Sequence, residues 1–215
     1  MVSAAARIRP LREEVASALI QGGGAAASAA GLVYLVARAW RQQHALGLTA
    51  IVVYGASMFF AFLISALYHG VQHGRIKPVL RAMDHCTIFI FIAGTYTPVA
   101  LLPLRQYAGG MLLVSIWTLG IAGIALRLTN ERFFRRVAIL LYLAMGWLCV
   151  GWVVPLYRMV GIMPISLMFA GGLSYTGGLL FYRWDRLPFS RPIWHLCVVV
   201  GSTAFFLAIS RFLQM

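Results

Sequence analysis

Residues 48–68 form 21 consecutive positions without a single charge. A helix rises about 1.5 Å per residue and the hydrocarbon layer of a bilayer is about 30 Å thick, so roughly 20 such residues cross it. No water is present there to bond an irregular backbone, which makes a helix the only conformation open to a lone segment. Comparable apolar runs recur at about 15–37, 83–102, 108–126, 137–156, 163–182 and 191–209, with the second run extending over 48–69. Seven spans with short loops leave little else in 215 residues. The expected fold is therefore an all-α membrane protein, a single domain over 1–215 built as a seven-transmembrane helix bundle. At 61% hydrophobic and 11% charged, the composition is far from the roughly 25% charge of soluble domains.

The net charge of +13 would point to nucleic acid in a soluble chain. Here the basic residues fall between apolar runs, and membrane orientation accounts for them; no nucleic-acid partner is expected. With seven spans, the N-terminus and the loops after spans 2, 4 and 6 share one side and carry 13 of the 18 Lys and Arg. Arg38, Arg41, Arg105, Arg158 and Arg211 lie on the other. The positive-inside rule then puts the N-terminus in the cytoplasm and the C-terminus outside it. The first run is longer than the apolar core of a secretory signal, so it reads as a retained span.

Within the spans, Gly22-Gly23-Gly24-Ala25-Ala26-Ala27-Ser28 and the pairs Gly171-Gly172 and Gly177-Gly178 read as faces where helices pack closely. Pro98 is expected to kink span 3, and Ser190 to cap span 7 with Pro192 in its first turn. Cys86, Cys149 and Cys197 show no metal or disulfide spacing and read as small buried hydrophobes.

The chemistry collects at one end. Span 2 closes on Ser65-Ala-Leu-Tyr-His69, whose Ser65 and His69 share a helix face. Span 3 opens with Asp84 and His85, and His195 lies one turn into span 7. The topology brings His69, Asp84 and His195 to a similar depth on the cytoplasmic side. Two readings stay open. In one, the histidines mark the membrane boundary and Asp84 caps span 3. In the other, two imidazoles and a carboxylate form a hydrolytic zinc set, three protein ligands with a position for water. None of the five acidic residues falls mid-membrane, which argues against an ion-coupled transporter.

These residues resemble the hemolysin III group of the progestin and adipoQ receptor (PAQR) family, seven-span proteins related to alkaline ceramidases. The resemblance covers almost the whole chain. It rests on Glu13-Glu14, Ser65-Ala-Leu-Tyr-His69, Met83-Asp84-His85, Ala93-Gly94-Thr95-Tyr96-Thr97-Pro98, Met145-Gly146-Trp147, and Ile193-Trp194-His195 with Gly201-Ser202. It implies a zinc held by three histidines, one from span 2 and two from a His-x-x-x-His of span 7. The Asp of span 3 would hold the reacting water, with the Ser of span 2 in the same site. His69, His195, Asp84 and Ser65 match. Arg191 stands where the first histidine of span 7 would be, and Phe205 where a further one often lies.

A guanidinium does not ligate zinc. The missing ligand is therefore expected from Asp84, giving metal ligands His69, His195 and Asp84, with Asp84 and Ser65 as the catalytic pair. His85 or His73 could supply it instead, or Arg191 could bridge to Asp84 with no metal bound. The expected function is metal-dependent hydrolysis of a lipid amide or ester in the cell membrane. A non-catalytic sensor of membrane homeostasis and a pore-forming cytolysin are the alternatives. Membrane lipids are the expected partners, and homo-oligomerisation is left open.

Overall fold

The computed structural model describes residues 10–42, 45–72 and 74–213. They form eight α-helices and one 3-10 turn, with no strand among the described residues. In order, the helices are α1 (Leu11–Arg41), α2 (Ala45–Gly70), α3 (Lys77–Leu101), α4 (Gly109–Thr129), α5 (Glu131–Gly146), α6 (Val153–Val160), α7 (Ile162–Arg183) and α8 (Ser190–Phe212). The 3-10 turn Leu148–Trp152 joins α5 to α6, so Glu131–Val160 runs as one interrupted unit. Six elements are long and apolar enough to cross a membrane: α1, α2, α4, the Glu131–Val160 unit, α7 and α8.

Helices that face lipid keep their apolar side chains outward, and these do. Leu19, Val33, Met111, Val114, Leu140 and Leu180 are each about two-thirds exposed or more. That arrangement is the reverse of a soluble core and identifies a membrane-embedded protein. Buried polar residues point the other way. Glu14, Ser17, Gln21 and Ser28 are buried along one face of α1.

Consecutive helices pack side by side from α1 to α4, and α8 returns to touch α7, α1 and α3. The bundle closes into a ring, with α3 also contacting α2, α4 and α5. Close approach depends on particular glycines. A Cβ at Gly178 would lie 2.7 Å from the Cβ of Cys197 and 2.8 Å from the Trp194 ring, and one at Gly171 would meet Phe205. Gly24 faces the Phe62 ring in the same way, whereas Gly22, Gly23 and Gly177 have open space. The packing face is thus one glycine of each pair at a seven-residue interval, not the whole glycine string.

Two local expectations change. α3 begins at Lys77, with Pro78 in its first turn, so Asp84 lies two turns inside and caps nothing. Pro98 lies inside α3, in its last turn, and the element runs unbroken to Leu101. Ser190 is the first residue of α8 rather than its cap. The Glu13 carboxylate accepts a hydrogen bond from the Phe189 amide instead, at 3.0 Å.

The fifth run also differs: one span is expected over 137–156, and the helix breaks after Gly146. Pro155 has no amide hydrogen and Gly146 and Gly151 hold the backbone loosely, so the ladder is poorly supported there. Tyr96 of α3 mends it. Its hydroxyl lies 2.9 Å from the carbonyls of Met145 and Gly146 and accepts from the Cys149 amide at 2.9 Å.

Candidate functional site

Two histidines meet at the end of the bundle where α2 finishes and α3 and α8 begin. His69 Nε2 and His195 Nε2 are 3.0 Å apart, with the rings nearly perpendicular, and both residues are buried. His69 is the next-to-last residue of α2 and His195 lies in the second turn of α8. The convergence expected from hydropathy therefore holds for this pair.

Each ring is fixed from behind by α1. Glu14 Oε2 is 3.4 Å from His69 Nδ1 and accepts from Lys77 Nζ at 2.9 Å. The Gln21 amide hydrogen-bonds His195 Nδ1. Glu14 and Gln21 are seven residues apart, two turns of helix, so one face of α1 serves both rings. Neither was assigned to the site from sequence. The available hint is the spacing of Glu14, Ser17, Gln21 and Ser28, a polar stripe on an otherwise apolar helix.

The hydrogen positions in this chain follow from the Gln21 amide. If its NH2 faces His195, then His195 Nδ1 is an acceptor, its Nε2–H donates to His69 Nε2, and His69 Nδ1–H donates to Glu14. This order leaves Gln21 Oε1 buried with no hydrogen-bond partner, and turning the amide over leaves its NH2 in that same place. With the amide turned over, Oε1 accepts from His195 Nδ1–H. Both Nε2 lone pairs then face one another, an arrangement that calls for a cation between them. Ring N–H groups held by a carboxylate and an amide are the usual outer partners of metal-bound imidazoles. His69 and His195 are thus the residues that could hold a metal.

Asp84 and the buried Ser65 line the same cavity. Among the described residues, however, no group of three or more His, Cys, Asp or Glu side chains could hold a metal ion as it stands. The two imidazoles form a pair, and Asp84 is near without closing the set.

His85 is engaged elsewhere. Arg127 Nε donates to its Nδ1 at 3.1 Å, and Tyr142 donates to its carbonyl at 3.0 Å. Since a guanidinium only donates, His85 carries its hydrogen on Nε2 and has no lone pair there for a metal. His73, the other substitute considered, lies outside the described residues. Arg191 lines the cavity with its guanidinium carbon 3.5 Å from the centroid of the Tyr182 ring. Phe205 stacks on Tyr175 at 5.9 Å and belongs to the apolar wall.

The cavity encloses about 410 Å³ within the helix ring, in the range of small-molecule sites. Its polar end holds Ser65, His69, Asp84 and His195, and its walls toward the far side are Phe91, Ile92, Val99 and Met168. Fold and site together define a class: a polytopic helical membrane protein with a histidine pair at one end of an interior, largely apolar cavity. A family model described as "Haemolysin-III related" matches residues 10–206, and the chain belongs to that family. It is similar to "Hemolysin-3" of Bacillus cereus, 39% identical over 199 residues, covering 93% of this chain and 91% of that one. It is also similar to a "Hemolysin-3 homolog" of Bacillus subtilis (strain 168), 37% identical over 199 residues and 93% of each chain.

Proposed function

We propose that this chain is a seven-span protein of the cell membrane, N-terminus inside, that hydrolyses the amide or ester bond of a lipid at a zinc site held by His69, His195 and Asp84. One observation carries the reading: two buried imidazole Nε2 atoms 3.0 Å apart at the polar end of an apolar cavity, each backed by a hydrogen bond to Nδ1. Zinc held in this way polarises a carbonyl and lowers the pKa of water to about 7.

The chain's own groups do the rest. The apolar walls hold the acyl chain and keep bulk water out. Asp84 takes a proton from the attacking water, and the Ser65 hydroxyl holds the carboxylate in place for it. As the carbon–nitrogen or carbon–oxygen bond breaks, Asp84 returns that proton to the departing amine or alkoxide. The products are a fatty acid and an amine or alcohol.

The seventh span of this reading is α3, whose 25 residues are long enough to cross and carry their charges at one end. A pore-forming role needs a polar face across the membrane. The polar stripe of α1 is instead buried within the bundle. A non-catalytic sensor is the second reading, favoured by the lack of a closed three-ligand set among the described residues.

Metal analysis of detergent-purified protein decides between them. Stoichiometric zinc is expected in the native chain, lost in His69→Ala and in His195→Ala, together with release of fatty acid from an acylated amine. Zinc without turnover selects the sensor. Native protein with no more zinc than His69→Ala removes the metal site altogether.

A further inference from the structure

We infer that Ser17 and Gln21 hold a buried water molecule between them, behind the histidine pair, and that this water backs the Gln21 amide. The inference rests on the polar face of α1, and on neither zinc nor hydrolysis.

Ser17 and Gln21 stand four residues apart on α1, so they share a helix face with their Cβ atoms about 5–6 Å apart. Both are buried, at 1% and 4% exposure. Ser17 Oγ and Gln21 Oε1 each lack a hydrogen-bond partner. They are therefore too far apart to bond one another directly.

A hydroxyl inside a helix ordinarily closes onto the carbonyl three or four residues back. Ser28, Ser57, Thr95, Thr97, Thr176 and Ser210 all do so, at 2.7–3.0 Å. Ser17 does not, so its hydroxyl is turned away from the one partner that its own helix offers. Left bare, a buried hydroxyl and half of a buried amide are both costly. One water serves the two of them. With hydrogen bonds of about 2.8 Å it spans a gap of roughly 4.5–5.5 Å, and two polar partners are enough to hold it. A metal ion fits less well, because a hard cation seeks about six oxygens. Water also donates and accepts, as the Ser17 hydroxyl does, so it backs the amide whichever way Gln21 is turned. The exposed Arg12 lies less than two turns away, which keeps the place close to the end of the bundle.

The test is thermal unfolding in a maltoside detergent, with and without EDTA, of native protein, Ser17→Ala, Gln21→Leu and the double variant. Alanine takes up nearly the space of serine and favours helix more, so a hydroxyl without a partner makes Ser17→Ala at least as stable as native. A hydroxyl that holds a water makes it less stable, and melting several degrees lower is expected. In Gln21→Leu the water has lost its second partner, so adding Ser17→Ala should cost nothing further. An experimental map that shows ordered waters should place one within about 3.2 Å of both Ser17 Oγ and the Gln21 amide.

A Ser17→Ala protein that melts at or above native overturns the inference. An equal loss in the Gln21→Leu background also overturns it, because the hydroxyl then has some other partner. A map in which Ser17 and Gln21 bond directly does the same. The loss is expected with and without EDTA, so it stands even where the zinc reading fails; a loss confined to metal-loaded protein overturns the water. Should Gln21→Leu not fold, Ser17→Ala and the map decide.

Discussion

Gln21 decides what occupies the space between His69 and His195. An amide can donate to His195 Nδ1 or accept from it, and each choice fixes a different tautomer. Donation puts a proton between the rings, and acceptance leaves two lone pairs for a cation. Gln21→Glu removes the ability to donate, so His195 Nδ1 must carry its hydrogen and Nε2 must offer its lone pair. Gln21→Leu supports neither tautomer. Zinc affinity, measured by competition with a chromophoric chelator, should be at least native in Gln21→Glu. In Gln21→Leu it should fall about 10–100-fold, the usual cost of losing an outer partner. Identical affinities in all three proteins would show that the amide does not govern the pair. His69, Asp84 and His195 were legible because hydropathy alone fixes the depth of a residue at the end of a span. Glu14 and Gln21 were not, because their role depends on which helices are neighbours, and that is settled by side-chain packing around the ring.

At the scale of the element, the break between α5 and α6 shows why apolar length does not foretell helix continuity. Hydropathy registers residues 137–156 as a single run, yet it carries no information about which amides and carbonyls lack partners near Gly146, Gly151 and Pro155. The partner comes from another helix, the hydroxyl of Tyr96. Tyr96→Phe keeps the ring in its buried place and leaves the Cys149 amide without that acceptor. An unmet buried polar group costs about 1–3 kcal/mol, so thermal unfolding in detergent should shift several degrees lower. A melting curve matching native would mean the break is held without this hydroxyl, for example by Trp147, whose indole donates to Thr176 at 3.1 Å. The glycine pairs offer a sharper contrast, since the two members of one pair differ. Gly178→Ala puts a methyl against Cys197 and Trp194, an overpacking that costs about 1–3 kcal/mol, while Gly177→Ala meets nothing. Gly177→Ala should melt at or above native, because alanine favours helix over glycine by about 1 kcal/mol. Equal losses in the two variants would refute the α7–α8 contact.

For the whole molecule, the number of spans turns on α3, because six other elements qualify by length and composition. If α3 crosses, 13 of the 18 basic residues share a side, leaving Arg38, Arg41, Arg105, Arg158 and Arg211 opposite. If α3 fails to cross, everything after it changes side. Arg38, Arg41, Arg127, Arg132, Arg135, Arg136, Arg183, Arg186 and Arg191 then stand opposite the remaining nine. An even division gives the insertion machinery no orientation to read, whereas the uneven one orients the chain strongly. α3 also has the reason to cross that its composition partly hides. Its charged residues Lys77, Arg81 and Asp84 sit in the first eight positions, while Phe89, Phe91, Ala93, Val99 and Ala100 are buried among neighbouring helices. A span enclosed by other helices need not be apolar all round to be stable in a membrane. The two topologies place the C-terminus on opposite sides of the membrane. An alkaline phosphatase joined after Met215 should be active, and a green fluorescent protein at the same position should stay dark. A dark phosphatase with a bright fluorescent fusion would return the C-terminus to the cytoplasm and reduce the crossing helices to an even number. A second pair of fusions, in the α4–α5 loop after Asn130, then isolates α3 itself. That loop lies on the N-terminal side if α3 crosses and opposite it if α3 does not.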